Sequence, residues 1–207
     1  MSDTELYIPF GEPVIKYSDL NINNKSLLKQ LKNIKLKDTG ANEGTYISQD
    51  MNIFKYLKDG STIEKIFASR IRHAVVQFNY STDIAIGNCW LTMTKPKAMS
   101  HYHLHSNYWL SACYYPMGDK RDSFSIEFKR PTPLIFDIPK LKYGSFNSLN
   151  YKLNVQAGDF IVFPSYLEHR IVENNTKLNR YSIAMVINPT GLIGINDSTI
   201  DYALLYK

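Results

Sequence analysis

The spacing of hydrophobic positions changes near residue 80. Before that point apolar residues recur with a helical period. Asn24, Lys25 and Ser26 open a short helix that runs through Leu27, Leu28 and Leu31. Farther on, Ile63, Ile66, Phe67, Ile71, Ala74, Val75 and Phe78 recur at intervals of three, four or their sums. That places them on one face of a helix from about Ser61 to Tyr80. Ser61-Thr62-Ile63-Glu64 has the form of a capping box at its start. A helix with one apolar face is expected to pack on a sheet.

After residue 83 the texture is that of strands. The candidates are Ile84–Thr94, Tyr108–Tyr115, Ser123–Phe128, Leu134–Phe136, Tyr151–Val155, Phe160–Phe163, Glu168–Val172 and Arg180–Ile187. All are short, rich in β-branched and aromatic residues, and bounded by Gly, Pro, Asn and Asp. Ala157-Gly158-Asp159 reads as a tight turn between two of them. This predicts a mainly β protein with N-terminal helices, a sandwich or jelly roll with the helices on one outer face. One domain is expected overall: a helical and extended region over 1–82, a β core over 83–190, and a tail over 191–207. No internal repeat or low-complexity tract interrupts it.

Composition narrows the function classes. The chain has 207 residues, 44% hydrophobic and 21% charged, ordinary for one globular domain. A chain this long buries roughly 70% of its unfolded surface, so it needs no staple. No apolar run approaches the ~18 residues of a membrane span. The polar, acidic start argues against a secretory signal, and two cysteines, Cys89 and Cys113, are too few for a disulfide framework. Both are expected to be buried thiols in a cytoplasmic protein. The formal charge is +5 and the pI about 9.0. The lysines are scattered, and the densest group, Lys29, Lys32, Lys35 and Lys37, reads as a solvated face rather than a nucleic-acid stripe.

Chemistry is suggested by the histidines. His101, His103 and His105 alternate along one segment, and His169 stands far downstream. Residues two apart in an extended segment point the same way. Two imidazoles from one strand end and a third from a distant strand could therefore make a three-point grip on a metal with positions left open. The bland reading is a polar patch plus a surface histidine. Two features weigh against it. The run leads into the apolar strand around Trp109, Leu110 and Ala112, and Arg180 follows His169 on the next strand. An inward-facing arginine suits a carboxylate held bidentately.

In these residues the chain resembles the iron(II)- and 2-oxoglutarate-dependent oxygenases, most closely the branch common in marine bacteria and the tailed phages of cyanobacteria. The resembling stretches are Cys89-Trp90, the run from His103 through Ser111 to Tyr115, the run from Gly158 through Phe163-Pro164-Ser165 to His169, and Asn179-Arg180-Tyr181-Ser182-Ile183-Ala184. They span about residues 85–188 in order. The resemblance implies a double-stranded β-helix, a jelly roll of cupin-like form. It implies His103, His105 and His169 as iron ligands and catalytic residues, with Arg180 on the far carboxylate of 2-oxoglutarate and Ser182 assisting. Tyr115 would hydrogen-bond the co-substrate or, equally, serve as a core tyrosine. It shares strand parity with Asn107, Ser111 and Cys113. Trp90 and Trp109 are expected to be core anchors. The implied cofactors are Fe(II), 2-oxoglutarate and O2, and the implied reaction couples decarboxylation to succinate with oxidation of a C–H bond. The substrate is open, a peptidyl residue such as proline being one option.

One position departs from the wider superfamily, where the second ligand is usually Asp or Glu. Here it is His105. Either three neutral imidazoles bind the metal, or His105 does not bind and His101 stands in reserve. Two other classes compete: a cupin-like metalloprotein that does not use 2-oxoglutarate, and a non-enzymatic jelly-roll module. Neither has a need for Arg180.

Overall fold

The computed structural model describes residues 11–18, 20–40, 42–118, 124–132, 134, 136, 138–144 and 146–202. The elements in chain order are β1 (Ile15–Tyr17), α1 (Asn24–Leu31), β2 (Leu36–Asp38), β3 (Thr45–Ser48), α2 (Gly60–Gln77), β4 (Asp83–Thr94), β5 (Leu110–Tyr114), β6 (Phe124–Lys129), β7 (Asn150–Val155), β8 (Phe160–Pro164), β9 (His169–Ile171), β10 (Arg180–Thr190), β11 (Leu192–Ile193) and β12 (Ile200–Asp201). Among the described residues no helix is long and apolar enough to cross a membrane.

Helix α2 buries Ile63, Phe67, Ile71, Ala74 and Val75, the stripe its period predicts. Its ends differ from the sequence expectation. The capping box does not form: Asp59 is the N-cap and Ser61 lies inside the helix. Gly60 allows this early start, since a Cβ there would lie 1.9 Å from the Phe54 carbonyl oxygen. The helix stops short of Tyr80 because Asn79 takes a left-handed φ of 61°. The Tyr80 amide then donates to Val75 O and the Asn79 amide to Val76 O, both at 3.0 Å, a Schellman stop. Helix α1 is capped by Asn23, whose side chain accepts from the Ser26 amide at 3.0 Å.

Seven strands form one sheet in the order β1-β8-β5-β10-β4-β3-β2, and three form a second, β7-β6-β9. All pairings in both sheets are antiparallel. Ile126, Phe128 and Val155 of the small sheet pack with Tyr115, Ile161 and Phe163 of the large one, so the sheets face each other. On the other side of the large sheet Phe160, Val162, Leu91 and Ile183 pack with Phe67 and Ile71 of α2. The alternation of β8 thus serves two cores, which is why all five of its residues are buried. Two facing antiparallel sheets traversed in this order make a double-stranded β-helix.

Several expectations are corrected. Besides the helices, the region before residue 80 supplies β1, β2 and β3, which no strand candidate anticipated and which extend the large sheet at both edges. Leu134 and Phe136 lie in no strand, and Ile135 between them is outside the described residues, as is Ser123 before β6. The other seven expected strands are present as β4 to β10. The tail forms the small hairpin β11–β12.

Candidate active site

The segment carrying His103 and His105 has little regular structure, so its position is set by pairing to the β8–β9 connection. His103 and His169 exchange two backbone hydrogen bonds, each 2.9 Å. Two residues on, the His105 amide donates to Ser165 O at 3.0 Å, and the Ser165 amide donates to Trp109 O at 3.0 Å. The Ser111 and Ser165 hydroxyls share a hydrogen bond of 2.8 Å inside the barrel. These ties bring residues more than fifty positions apart onto one spot.

The three imidazoles converge there. Candidate ligand atoms of His103, His105 and His169 all lie within 4.8 Å of one another. The ring centroids are 4.5 Å apart for His103–His169 and 5.2 Å for each other pair. Two rings are oriented through Nδ1: His103 pairs with His101 O at 3.0 Å and His169 with Leu167 O at 2.9 Å. As N–H donors to carbonyls, both rings leave Nε2 as the lone-pair nitrogen. Burial, then the charge of His103, lowers His105 to about 4. Burial, with the neighbouring His103 and His105 charges against the Leu167 hydrogen bond, lowers His169 to about 3. Both are neutral near pH 7 and able to donate lone pairs, the form a metal requires. The donor set therefore fits a divalent ion with open coordination positions. The site grades from the exposed His103 to the buried His169.

His101 is not in this group. Its carbonyl orients His103, and its amide donates to Asn42 Oδ1 at 2.6 Å. Its side chain is exposed beside a cavity of about 570 Å³ lined by Asp38, Glu43, Tyr46, Lys95 and Met99 among others.

Arg180 begins β10 and is 2% exposed. Strand parity explains its direction. Tyr181, Ile183 and Met185 belong to the helix-side core, so Arg180 and Ser182 face inward. Arg180 Nη2 donates to Ser125 O at 3.1 Å, and the guanidinium lies 5.8 Å from the Tyr115 ring centre. Burial lowers its pKa, opposed by the charges of Tyr115 and Cys113. Arginine nevertheless stays charged in proteins. Burial lifts the Cys113 thiol to about 11, opposed by the neighbouring Tyr115, Arg180 and Ser182. Tyr115 is raised well above its usual value, chiefly by burial. Arg180, Ser182, Tyr115 and Cys113 thus form one polar wall inside the barrel. Asn107 does not share it, because its φ of 67° breaks the strand before Leu110.

Residues 88–185 match a family model described as "Putative 2OG-Fe(II) oxygenase". This stretch, just under half of the chain, is similar to the 2OG-Fe(II) oxygenases. Solved structures share the chain's fold at low identity. HygX from Streptomyces hygroscopicus, crystallised with nickel, 2-oxoglutarate and hygromycin B, is 12% identical with a TM-score of 0.61, covering 86% of this chain and 84% of that one. A prolyl-4-hydroxylase of Pseudomonas putida is 13% identical with a TM-score of 0.57, covering 87% and 94%. The epimerase SnoN from nogalamycin biosynthesis is 11% identical with a TM-score of 0.62, covering 87% and 77%. A search of curated proteins finds no match.

Of the two tryptophans expected to be core anchors, one differs from its sequence reading. Trp109 packs against the helix-side core, as a core anchor should. Trp90 does not: it points away from Cys89 and Leu91 and sets its indole edge-on to His105, centroids 5.5 Å apart. Phe163 lies beside His169 in the same way, at 4.8 Å. Parity along β4 and β8 could have found both, had the inward face been identified.

Proposed function

We propose that this protein is an Fe(II)- and 2-oxoglutarate-dependent dioxygenase whose iron is held by His103, His105 and His169. Arg180, with Ser182 and Tyr115, takes the C5 carboxylate of 2-oxoglutarate. The convergence of three imidazoles in a barrel that also buries an inward-facing arginine carries this reading. Bound there, Fe(II) supplies the redox chemistry that couples decarboxylation of 2-oxoglutarate to succinate with O2-dependent oxidation of a substrate C–H.

The chain's own part is positional. His103 and His169 present Nε2 because backbone carbonyls hold Nδ1. Arg180 fixes the distal end of the co-substrate, and its planar fork matches a carboxylate better than an ammonium would. Phe163 and Trp90 shield the inner side of the histidines. In this reading the oxidation is a hydroxylation, and the prime substrate is a small molecule or a peptidyl residue such as proline, entering from the exposed His103 side. The two free cysteines suit a cytoplasmic setting, that of the host if a phage carries the gene.

The test is succinate release with iron(II), 2-oxoglutarate and O2, paired with calorimetric 2-oxoglutarate binding. Wild type should do both. Arg180→Ala should raise the 2-oxoglutarate Kd by at least about 30-fold, given ~2–5 kcal/mol for truncating a buried charge pair, and Arg180→Lys should recover only part. His169→Ala should release no succinate. Equal succinate and unchanged binding in all variants would overturn the reading. Metal binding without any 2-oxoglutarate affinity would favour a cupin-like protein instead.

A further inference from the structure

The small sheet carries a second trio one residue away from the histidines. His103 bridges His169 across antiparallel chains, and His169 pairs with Phe128 of β6. The next rung outward places Tyr102, Arg170 and Glu127 side by side, with Arg170 and Glu127 in direct register. Alternation sends the histidines inward and this trio outward.

The trio converges on one atom. Tyr102 Oη donates to Glu127 Oε1 at 2.6 Å. Arg170 Nε donates to the same oxygen at 2.7 Å, and Arg170 Nη2 lies 2.6 Å from it. The guanidinium also lies 4.7 Å from the Tyr102 ring centre. Glu127 thus holds the residue before His103 and the residue after His169 at once. Its side chain is only 13% exposed, so these bonds are partly shielded from water.

We propose that Tyr102, Glu127 and Arg170 are positioning residues that set the spacing of His103 and His169 for metal binding. The inference rests on the proposed metal role of those histidines. His103 sits on a segment joined to β9 by an isolated bridge and by the Ser100 amide's bond to Ile171 O at 3.1 Å rather than by a continuous ladder, so the backbone ties it to β9 at few points. A carboxylate shared by both neighbouring side chains supplies the missing constraint from the outer face. No member of the trio touches the metal in this arrangement.

The probe is Co(II), followed by titration and by its visible ligand-field spectrum on the full chain. Wild type should bind with a defined spectrum. Glu127→Ala should weaken binding by about 10–100-fold, the range for partners that orient metal ligands, and should change the spectrum. Glu127→Asp should restore part of both. Tyr102→Phe and Arg170→Lys, which keep the packing, should each give a smaller loss and should be non-additive together, because they share one acceptor. They carry the test if Glu127→Ala does not fold. Lys97→Met is the control. It removes an exposed ion pair to Glu173 that joins the same two segments farther along, and it should leave affinity and spectrum unchanged. If the trio variants lower the melting temperature but keep wild-type affinity and spectrum, the trio is structural only and the inference fails. If wild type itself binds no Co(II), the proposed metal site fails instead.

Discussion

The large and small sheets face each other across the histidines but are held together by different forces. The large sheet is buried on both sides. Phe67 of α2 stacks on Phe160 at 4.9 Å with rings 5° from parallel and reaches Tyr114 at 5.1 Å, while Ile161 and Phe163 fill the opposite face. The small sheet has one apolar face. Its outer face is wet and tied by charge, through Glu127, Arg170 and Tyr102 and through Lys129 and Glu168 at 2.8 Å. The large sheet, which carries Arg180, is a rigid wall. The small sheet, which carries His169, is adjusted by directional polar bonds. Substitutions in the first should therefore cost stability, and in the second site geometry.

The sharpest way to break this contrast is a pair of variants. His169→Ala should weaken Co(II) binding by more than the roughly 100-fold that marks the top of the orienting-residue range. The metal-free protein should keep most of its unfolding midpoint. Phe67→Ala should do the reverse, costing about 3–5 kcal/mol in urea unfolding while the folded protein binds Co(II) with unchanged affinity. Loss of metal affinity in folded Phe67→Ala would show that the two sheets are not separable.

Acid should expose the site histidines in the metal-free protein. The folded pKa values of His105 and His169 are lowered to about 4 and about 3, against about 6.5 in an unfolded chain. Between those values the unfolded state holds protons that the folded state lacks, so stability falls as pH drops from about 6.5 towards 4. For His169 the loss between pH 6.5 and 5 is about 2 kcal/mol at most. Urea midpoints at pH 7.5 and 5.0 measure it, and His169→Ala should flatten the slope. An identical slope in that variant would assign the acid sensitivity elsewhere. The smallest effect is expected at the helix–sheet seam. Tyr114→Phe removes the hydroxyl that donates to Asn24 Oδ1 at 2.6 Å and should cost about 0.5–1.5 kcal/mol in the same assay.

Legibility along the chain followed the strength of the periodic signal. Helix α2 and strands β4 to β10 were readable because each carries enough alternating or helix-spaced apolar residues to reveal its buried face. Strands β1, β2 and β3 were not. They have three or four residues each, too few for a period, and exist because open sheet edges accept them. The start of α2 was misjudged because the close approach of the Phe54 carbonyl to Gly60 is a tertiary fact. Trp90 looked like a core residue because an aromatic on a strand does not disclose which of two buried faces it joins.

The sequence by itself determined which side chains could carry chemistry: His103, His105, His169, Arg180, Ser182 and Tyr115, with the parity that groups Ser182 with Arg180. Periodicity is local and survives in one dimension. Convergence is not local. Only the tertiary structure brought His169 to His103 through a backbone bridge, turned His101 into a carbonyl support, and joined Tyr102, Glu127 and Arg170 on one oxygen. Those three residues look like ordinary surface polar residues in the chain, because their meaning depends on the register of two strands and a bridged segment distant in sequence, and register is decided by what both faces of the sheets must bury.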